Sequence, residues 1–207
     1  MTDPVQNDGE NALGPTGTLL QAKGLTLRSR NGASLLSDIS FHIEPGELVA
    51  LTGLSRSGTS ILLQCLAGLI KPSSGEVLLD GVDLYANLKA FRPTIGYVPP
   101  ELALHEHLMV TEILQDAARL RLPRKISSQD RKQRVQSVLE TVGLTHARDQ
   151  RAGLLEEVDR RKLSIAVELI SRPKLLLLDE SAEPLTPFDE VQIGLLMREL
   201  SRLGLTV

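Results

Sequence analysis

From Leu19 to Thr52 the chain alternates short apolar and polar runs broken by turn residues, the pattern of strands. Asn31-Gly32 predicts a hairpin, and Glu44-Pro45-Gly46-Glu47 predicts a turn before an apolar strand over Leu48 to Thr52. The period then changes. Beyond a glycine-bearing loop at 53–60, Ile61, Leu62, Cys65, Leu66 and Leu69 recur at helical spacing. Val77 to Leu79 and Ile95 to Val98 predict further short strands. Residues 110–122 and 131–144 return to the helical period, the second through Val135, Val138, Leu139 and Val142.

The last third alternates again between helix and strand. A helix over about 158–171 leads to Leu175-Leu176-Leu177-Leu178, a run apolar on both faces and so a buried parallel strand. Asp179-Glu180 closes it. Thr186, Pro187 and Asp189 form a helix start, with the threonine as N-cap and the proline at the first helical position. Val191, Leu195, Leu200 and Leu203 supply its apolar face. At Leu205-Thr206-Val207 another strand begins, and we read that ending as a truncation.

With 207 residues, 42% hydrophobic and 24% charged, the chain has enough material for one core. Residues 1–17, polar and rich in Gly, Pro, Asn and Asp, are expected to be a disordered leader to a single domain over 18–207. A net charge of −3 argues against a nucleic-acid partner. The lone Cys65 excludes an internal disulfide. No apolar run approaches the roughly 20 residues that span a bilayer, and no secretion signal opens the chain. The expected location is therefore cytoplasmic, with any membrane role arising through a partner or through sequence outside these residues. Arg119, Arg121, Arg124, Lys125, Arg131, Lys132 and Arg134 form a basic cluster, read as a solvated face of a helical subdomain. His42, His105, His107 and His146 lack metal-ligand spacing and read as surface residues.

Strand, G-x-x-x-x-G, helix is the arrangement that turns backbone N–H groups and a helix N-terminus toward phosphate. Here it is Gly53-Leu54-Ser55-Arg56-Ser57-Gly58-Thr59-Ser60. The buried strand closed by Asp179-Glu180 follows far downstream, preceded by Arg160-Arg161-Lys162-Leu163-Ser164-Ile165-Ala166-Val167-Glu168-Leu169-Ile170. In order and spacing these segments resemble the ATP-binding domain of the ABC transporter family from about residue 19 onward. Ala118-Arg119-Leu120-Arg121-Leu122-Pro123, with Ser164-Ile165-Ala166 and Glu168-Leu169-Ile170, looks most like the eye-pigment (G-type) exporters.

The resemblance implies an α/β fold: a P-loop NTPase core of mixed sheet flanked by helices, an antiparallel β subdomain, and a helical subdomain over about 102–157. It implies ATP and Mg²⁺ as cofactors, with Ser60 and Asp179 on the metal and Glu180 polarising the attacking water. The implied partners are a transmembrane domain in the same or a separate chain and a second nucleotide-binding domain. That arrangement would sit at the inner face of the cell membrane.

Against that pattern several positions differ. The lysine of the phosphate loop falls at Thr59, and losing such a charge-assisted bond costs about 1.5–3 kcal/mol. Arg56 stands where the family usually has glycine. The Q-loop glutamine falls at Pro100, which has neither a side-chain amide nor an N–H and reads as a stiff extended connector. The Leu-Ser-Gly-Gly signature falls at Leu155-Glu156-Glu157-Val158. Two carboxylates there would repel a facing phosphate by about 4 kcal/mol per charge pair at 4 Å and an effective dielectric of 20. Alternatively, they simply favour their own helix dipole. The D-loop aspartate falls at Thr186, and Leu27 to Arg30 hold no adenine-stacking aromatic. The expectation is a degenerate ATP-binding domain, a pseudo-ATPase of an exporter with weak or no hydrolysis. The alternative is an active ATP-hydrolysing motor working with an intact partner subunit.

Overall fold

The computed structural model describes residues 17–54, 57–101, 104–179 and 185–207. Most of the expected leader, together with Ser55, Arg56 and Glu180, lies outside the described residues.

Strands β1 (Leu20–Arg28) and β2 (Ser34–Ile43) form the antiparallel hairpin that Asn31-Gly32 predicts, with Gly32 at φ 85° in the turn. Leu20, Ala22, Leu25 and Leu27 of β1 are buried. Strand β3 (Ser74–Leu79) pairs antiparallel with the other edge of β1, and the two-residue β4 (Val82–Asp83) completes a sheet of order β2-β1-β3-β4. Helix α1 (Thr59–Leu66) packs Leu62, Cys65 and Leu66 into the same core, and a short α2 (Leu88–Phe91) follows β4.

The second sheet is parallel: β5 (Ile95–Val98) against β6 (Leu175–Leu178), in register from Ile95↔Leu175 to Val98↔Leu178. Its neighbour is the segment 205–207, joined through Leu176 N to Thr206 O (2.8 Å) and Thr206 N to Lys174 O (3.2 Å). The predicted strand Leu48 to Thr52 needs correction. Val49 N donates to Val207 O, and Val207 N donates to Glu47 O, both at 2.9 Å. These two bonds tie Val207 to Glu47 and Val49, too few for a strand, and Leu48, Val49 and Leu51 are 41–45% exposed.

Helices α3 (Val110–Arg121) and α4 (Ser128–Val142) form the helical lobe. Ser127 caps α4 by accepting from Asp130 N (3.1 Å), and Gly143 closes it in the left-handed region. They pack on α5 (Glu157–Leu169), which returns the chain to β6, and α6 (Pro187–Arg202) begins at Thr186 as predicted. Its apolar face is the expected one at Leu200, which is buried, and at Leu203, which packs against the core, but not at Val191 and Leu195. Met197 and Leu200 are buried, whereas Val191 and Leu195 are 59% and 60% exposed. The basic cluster also divides. Arg134 is 5% exposed and donates to the Leu169 and Ile170 carbonyls at the C-terminal end of α5; burial, reinforced by Arg172, lowers its pKa to about 10. Arg121 makes a two-pronged pair with Glu168 (2.7 and 2.6 Å), tying α3 to α5.

β6 is the wall between two cores. Leu175 and Leu177 enter the core under the antiparallel sheet and α1, while Leu176 and the partly buried Leu178 face the core of the helical lobe. Alternation along one strand thus serves both faces, as a run of four leucines allows.

Candidate functional site

Before α1, Ser57 N donates to Leu54 O (2.9 Å). A Cβ on Gly53 would stand 2.3 Å from Ser57 Oγ and 3.1 Å from Thr59 Cγ2, so the loop folds back onto its first glycine. Gly58 precedes α1 at φ 91°, and a Cβ there would stand 2.9 Å from the Leu35 carbonyl oxygen of β2. Both the backbone angle and the space require glycine.

Asp179, 2% exposed at the end of β6, meets this loop. Ser60 Oγ donates to its Oδ1 at 2.8 Å, bringing together two residues 119 apart in sequence. Tyr97 of β5 donates its phenol proton to Oδ2 at 3.0 Å, and Gln64 Nε2 of α1 lies 3.4 Å from the phenol oxygen. Burial raises the Tyr97 pKa, with Gln64 opposing and Asp179 adding to the shift. Sequence reasoning missed Tyr97. Its signal lies in the strand register, which the sequence alone does not give: opposite Leu177 in the parallel pair, it stands on the face that Asp179 shares two residues later.

Behind Asp179 stands Arg161 of α5, 4% exposed. Its guanidinium donates to the Pro99 carbonyl (2.8 Å) and to the Asp179 carbonyl, pinning the ends of β5 and β6 where Asp179 N closes the ladder on Val98 O (2.9 Å). Burial lowers its pKa, opposed by Asp179, Glu157 and Tyr97. Pro100, which follows, sits at a bend that continues through Glu101, not in the extended connector expected. A proline there cannot give the backbone N–H bond that would prolong β5.

The signature segment lies at the start of α5. Leu155 and Val158 are buried (8% and 5%), and Glu156 is the exposed N-cap residue. Its side chain makes no capping bond. Glu157 reaches Arg160 at 4.0 Å, and Asp159 pairs with Lys162 (3.3 Å) and His146 (3.0 Å). Favourable charge at the helix start is therefore present, without a carboxylate that closes the helix end on itself. All four histidines are exposed, and the described residues contain no group of three or more potential metal-ligating side chains. A cleft of about 560 Å³ separates α3 from α5, bordered by Pro99, Leu104, Leu120 and Glu168.

The donor set suits Mg²⁺. Ser60 Oγ and Asp179 Oδ1 are hard oxygens held side by side at the mouth of the loop, and a magnesium ion takes one or two such protein oxygens and fills its shell with water and phosphate. The loop's glycines and the start of α1 suit phosphate; the cation expected at position 59 is absent.

A phosphate loop joined to an acid-tipped parallel strand, with an antiparallel sheet on one side and a helical lobe on the other, defines a P-loop nucleotide-binding domain. The ABC transporter family model matches residues 36–183, and the chain belongs to that family as an ATP-binding domain. It is 37% identical over 84% of its length to ABC transporter G family member 22 of Arabidopsis thaliana, covering 24% of that protein. It is 36% identical over 88% of its length to the phosphonates import ATP-binding protein PhnC 1 of Rhodopseudomonas palustris, covering 70% of it. Among solved structures, cbiO1 of Clostridium perfringens, part of the cbiONQ transporter complex, superimposes with a TM-score of 0.80 at 28% identity, over 92% of this chain and 76% of that one. The chain spans 24% of the length of that G family member and 22% of the ABC transporter ATP-binding/permease protein Rv1747 of Mycobacterium tuberculosis, to which it is 35% identical over 91% of its own length. Among the described residues no helix is long and apolar enough to cross a membrane.

Proposed function

We propose that this domain is a degenerate partner in an exporter of the ABC family, holding Mg-ATP weakly and turning it over near background. One observation carries the reading. The metal-bearing pair Ser60–Asp179 is assembled at 2.8 Å, yet the neighbouring position is Thr59 and the facing-site motif reads Glu156-Glu157-Val158. The oxygens for a cation remain, while the lysine of the loop is exchanged for a hydroxyl, and the serine and glycines of the signature for two carboxylates and a buried valine. The site residues we assign are Gly53 to Ser60 for phosphate, Ser60 and Asp179 for metal, and Glu180 for water. Leu155 to Val158 and Pro100 are the altered positions.

When bound, the metal would screen phosphate charge; what the chain itself does is present Ser60 to it from the start of α1 and Asp179 from a buried strand end. The partners we assign are a transmembrane domain and a second nucleotide-binding domain, which place this one at the inner membrane face; no nucleic acid is involved. Exporter direction rests on the segments at 118–123 and 164–170, because identity to a G family member and to an importer subunit is nearly equal. The preserved Ser60–Asp179 bond favours a second reading, a working motor paired with an intact subunit. In such a pair each composite site joins one subunit's loop to the other's signature, so both sites would carry one defect.

Calorimetry decides between them. The expected affinity for Mg-ATP is about 0.1–1 mM, equivalent to only about 4–5.5 kcal/mol. Sub-micromolar binding, or hydrolysis abolished by Glu180→Gln, would restore the motor.

A further inference from the structure

Asp179 is held from two sides. Ser60, at the start of α1, takes Oδ1, and Tyr97 takes Oδ2. Gln64 stands four residues after Ser60, on the same face of α1, and steadies the phenol oxygen at 3.4 Å. A phenylalanine would fill the same space beside Leu177, so the hydroxyl has another purpose. The contrast with Tyr85 is informative: that hydroxyl is spent on the carbonyls of Cys65 and Ile70 and fixes main chain. Among the described residues the Tyr97 hydroxyl bonds only side chains, those of Asp179 and Gln64.

We propose that Tyr97 is a positioning residue for the divalent cation, pinning Oδ2 so that Oδ1 stays turned to Ser60. The inference rests on the assignment of Ser60 and Asp179 as metal oxygens. A carboxylate bonded at both oxygens rotates less readily than one bonded at a single oxygen. With Tyr97 on one oxygen, the other is committed to the mouth of the loop. Hydrogen bonds that orient a metal ligand in this way are typically worth about 10–100-fold in metal affinity.

The test compares Tyr97→Phe with Tyr85→Phe in the whole chain, with Mn²⁺ as the probe. Free Mn²⁺ is read by electron paramagnetic resonance with and without ATP, and metal-free ATP binding is measured in EDTA. Tyr97→Phe is expected to weaken Mn²⁺ binding about tenfold or more while ATP binding in EDTA stays within about twofold. Tyr85→Phe is expected to lower the melting temperature and leave Mn²⁺ affinity unchanged. The chain has two tyrosines and no tryptophan, so in Tyr85→Phe the ultraviolet emission belongs to Tyr97 alone. Added Mg²⁺ should alter that emission, and Asp179→Asn should abolish the response. Unchanged Mn²⁺ affinity in Tyr97→Phe overturns the proposal, as does a loss of ATP binding in EDTA equal to the loss of Mn²⁺. A wild-type chain that takes up no Mn²⁺ overturns it too, while the weak-nucleotide reading is judged separately by ATP binding in EDTA.

Discussion

Replacing Thr59 by lysine tests which defect limits nucleotide binding. Thr59 opens α1, and its methyl lies against Gly53 at the base of the loop, 3.1 Å from where a Cβ on that glycine would stand. An unbranched lysine stem can follow the same path, and its ammonium would regain charge-assisted bonds to phosphate worth about 1.5–3 kcal/mol, roughly one to two decades in affinity. The buried Asp179 carboxylate nearby competes for that charge, so the lower half of the range is expected. Titration calorimetry should show ATP binding tightened about tenfold to thirtyfold. Tighter binding alone should not close a dimer, because Glu156 and Glu157 still stand at the start of α5. Sedimentation of Thr59→Lys with Glu180→Gln should show monomers with and without Mg-ATP. Adding Glu156→Ser, Glu157→Gly and Val158→Gly should then allow an ATP-dependent dimer. Val158 is 5% exposed, so its glycine replacement costs roughly 2 kcal/mol or more, and the combined variant should melt earlier than its parent. An ATP-dependent dimer from Thr59→Lys with Glu180→Gln alone would refute the barrier assigned to the two glutamates. A change in ATP affinity below threefold would refute the role given to position 59.

Three further outcomes can be checked by denaturant melts. Gly58→Ala must hold a Cβ at φ 91° and 2.9 Å from the Leu35 carbonyl, and should lose about 1–3 kcal/mol and loosen the loop; a neutral result would remove the steric argument. Thr186→Ala deletes the oxygen that accepts from Asp189 N and should cost about 0.5–2 kcal/mol, with Thr186→Ser restoring most of it. Leu176→Ala opens a cavity at a fully buried point between sheet and helical lobe and should cost about 2–5 kcal/mol in a single cooperative transition; a small loss or two separate transitions would contradict the shared wall.

The fold was legible wherever one face of an element is buried. The hairpin at Asn31-Gly32, the leucine strand at 175–178 and the caps Thr186 and Pro187 carry their geometry in local chemistry. The Ser60–Asp179 contact was legible too, because strand ends and loop glycines fix both partners. What escaped depends on tertiary context. Leu48 to Thr52 has strand composition, yet among the described residues its main-chain bonds to another segment go to Val207 alone, so propensity was not enough. Arg134 belongs to a basic run in sequence, yet the end of α5 leaves carbonyls that a guanidinium can satisfy, and it is drawn inside. Arg161 hides for the same reason: its partners are main-chain oxygens, which no side-chain pattern announces. The stripe of Val191 and Leu195 has the right period but faces outward, since periodicity selects a face without naming what covers it.

Four identical leucines make β6 chemically featureless. Sliding the strand by one residue would keep leucine in three of its four places and bring Lys174 or Asp179 into the fourth, so hydrophobicity separates the correct alignment from its neighbours at one end only. Yet such a slide would carry the terminal carboxylate about 3.3 Å along the strand, out of reach of Ser60. The bookends sharpen the alignment: Lys174 N on the Thr94 carbonyl at one end, Asp179 N on Val98 and the Arg161 grip at the other. The placement of the acid thus leans on a few polar anchors outside the leucine run, and a change at those anchors would shift the site while most of the oily interior kept its leucines.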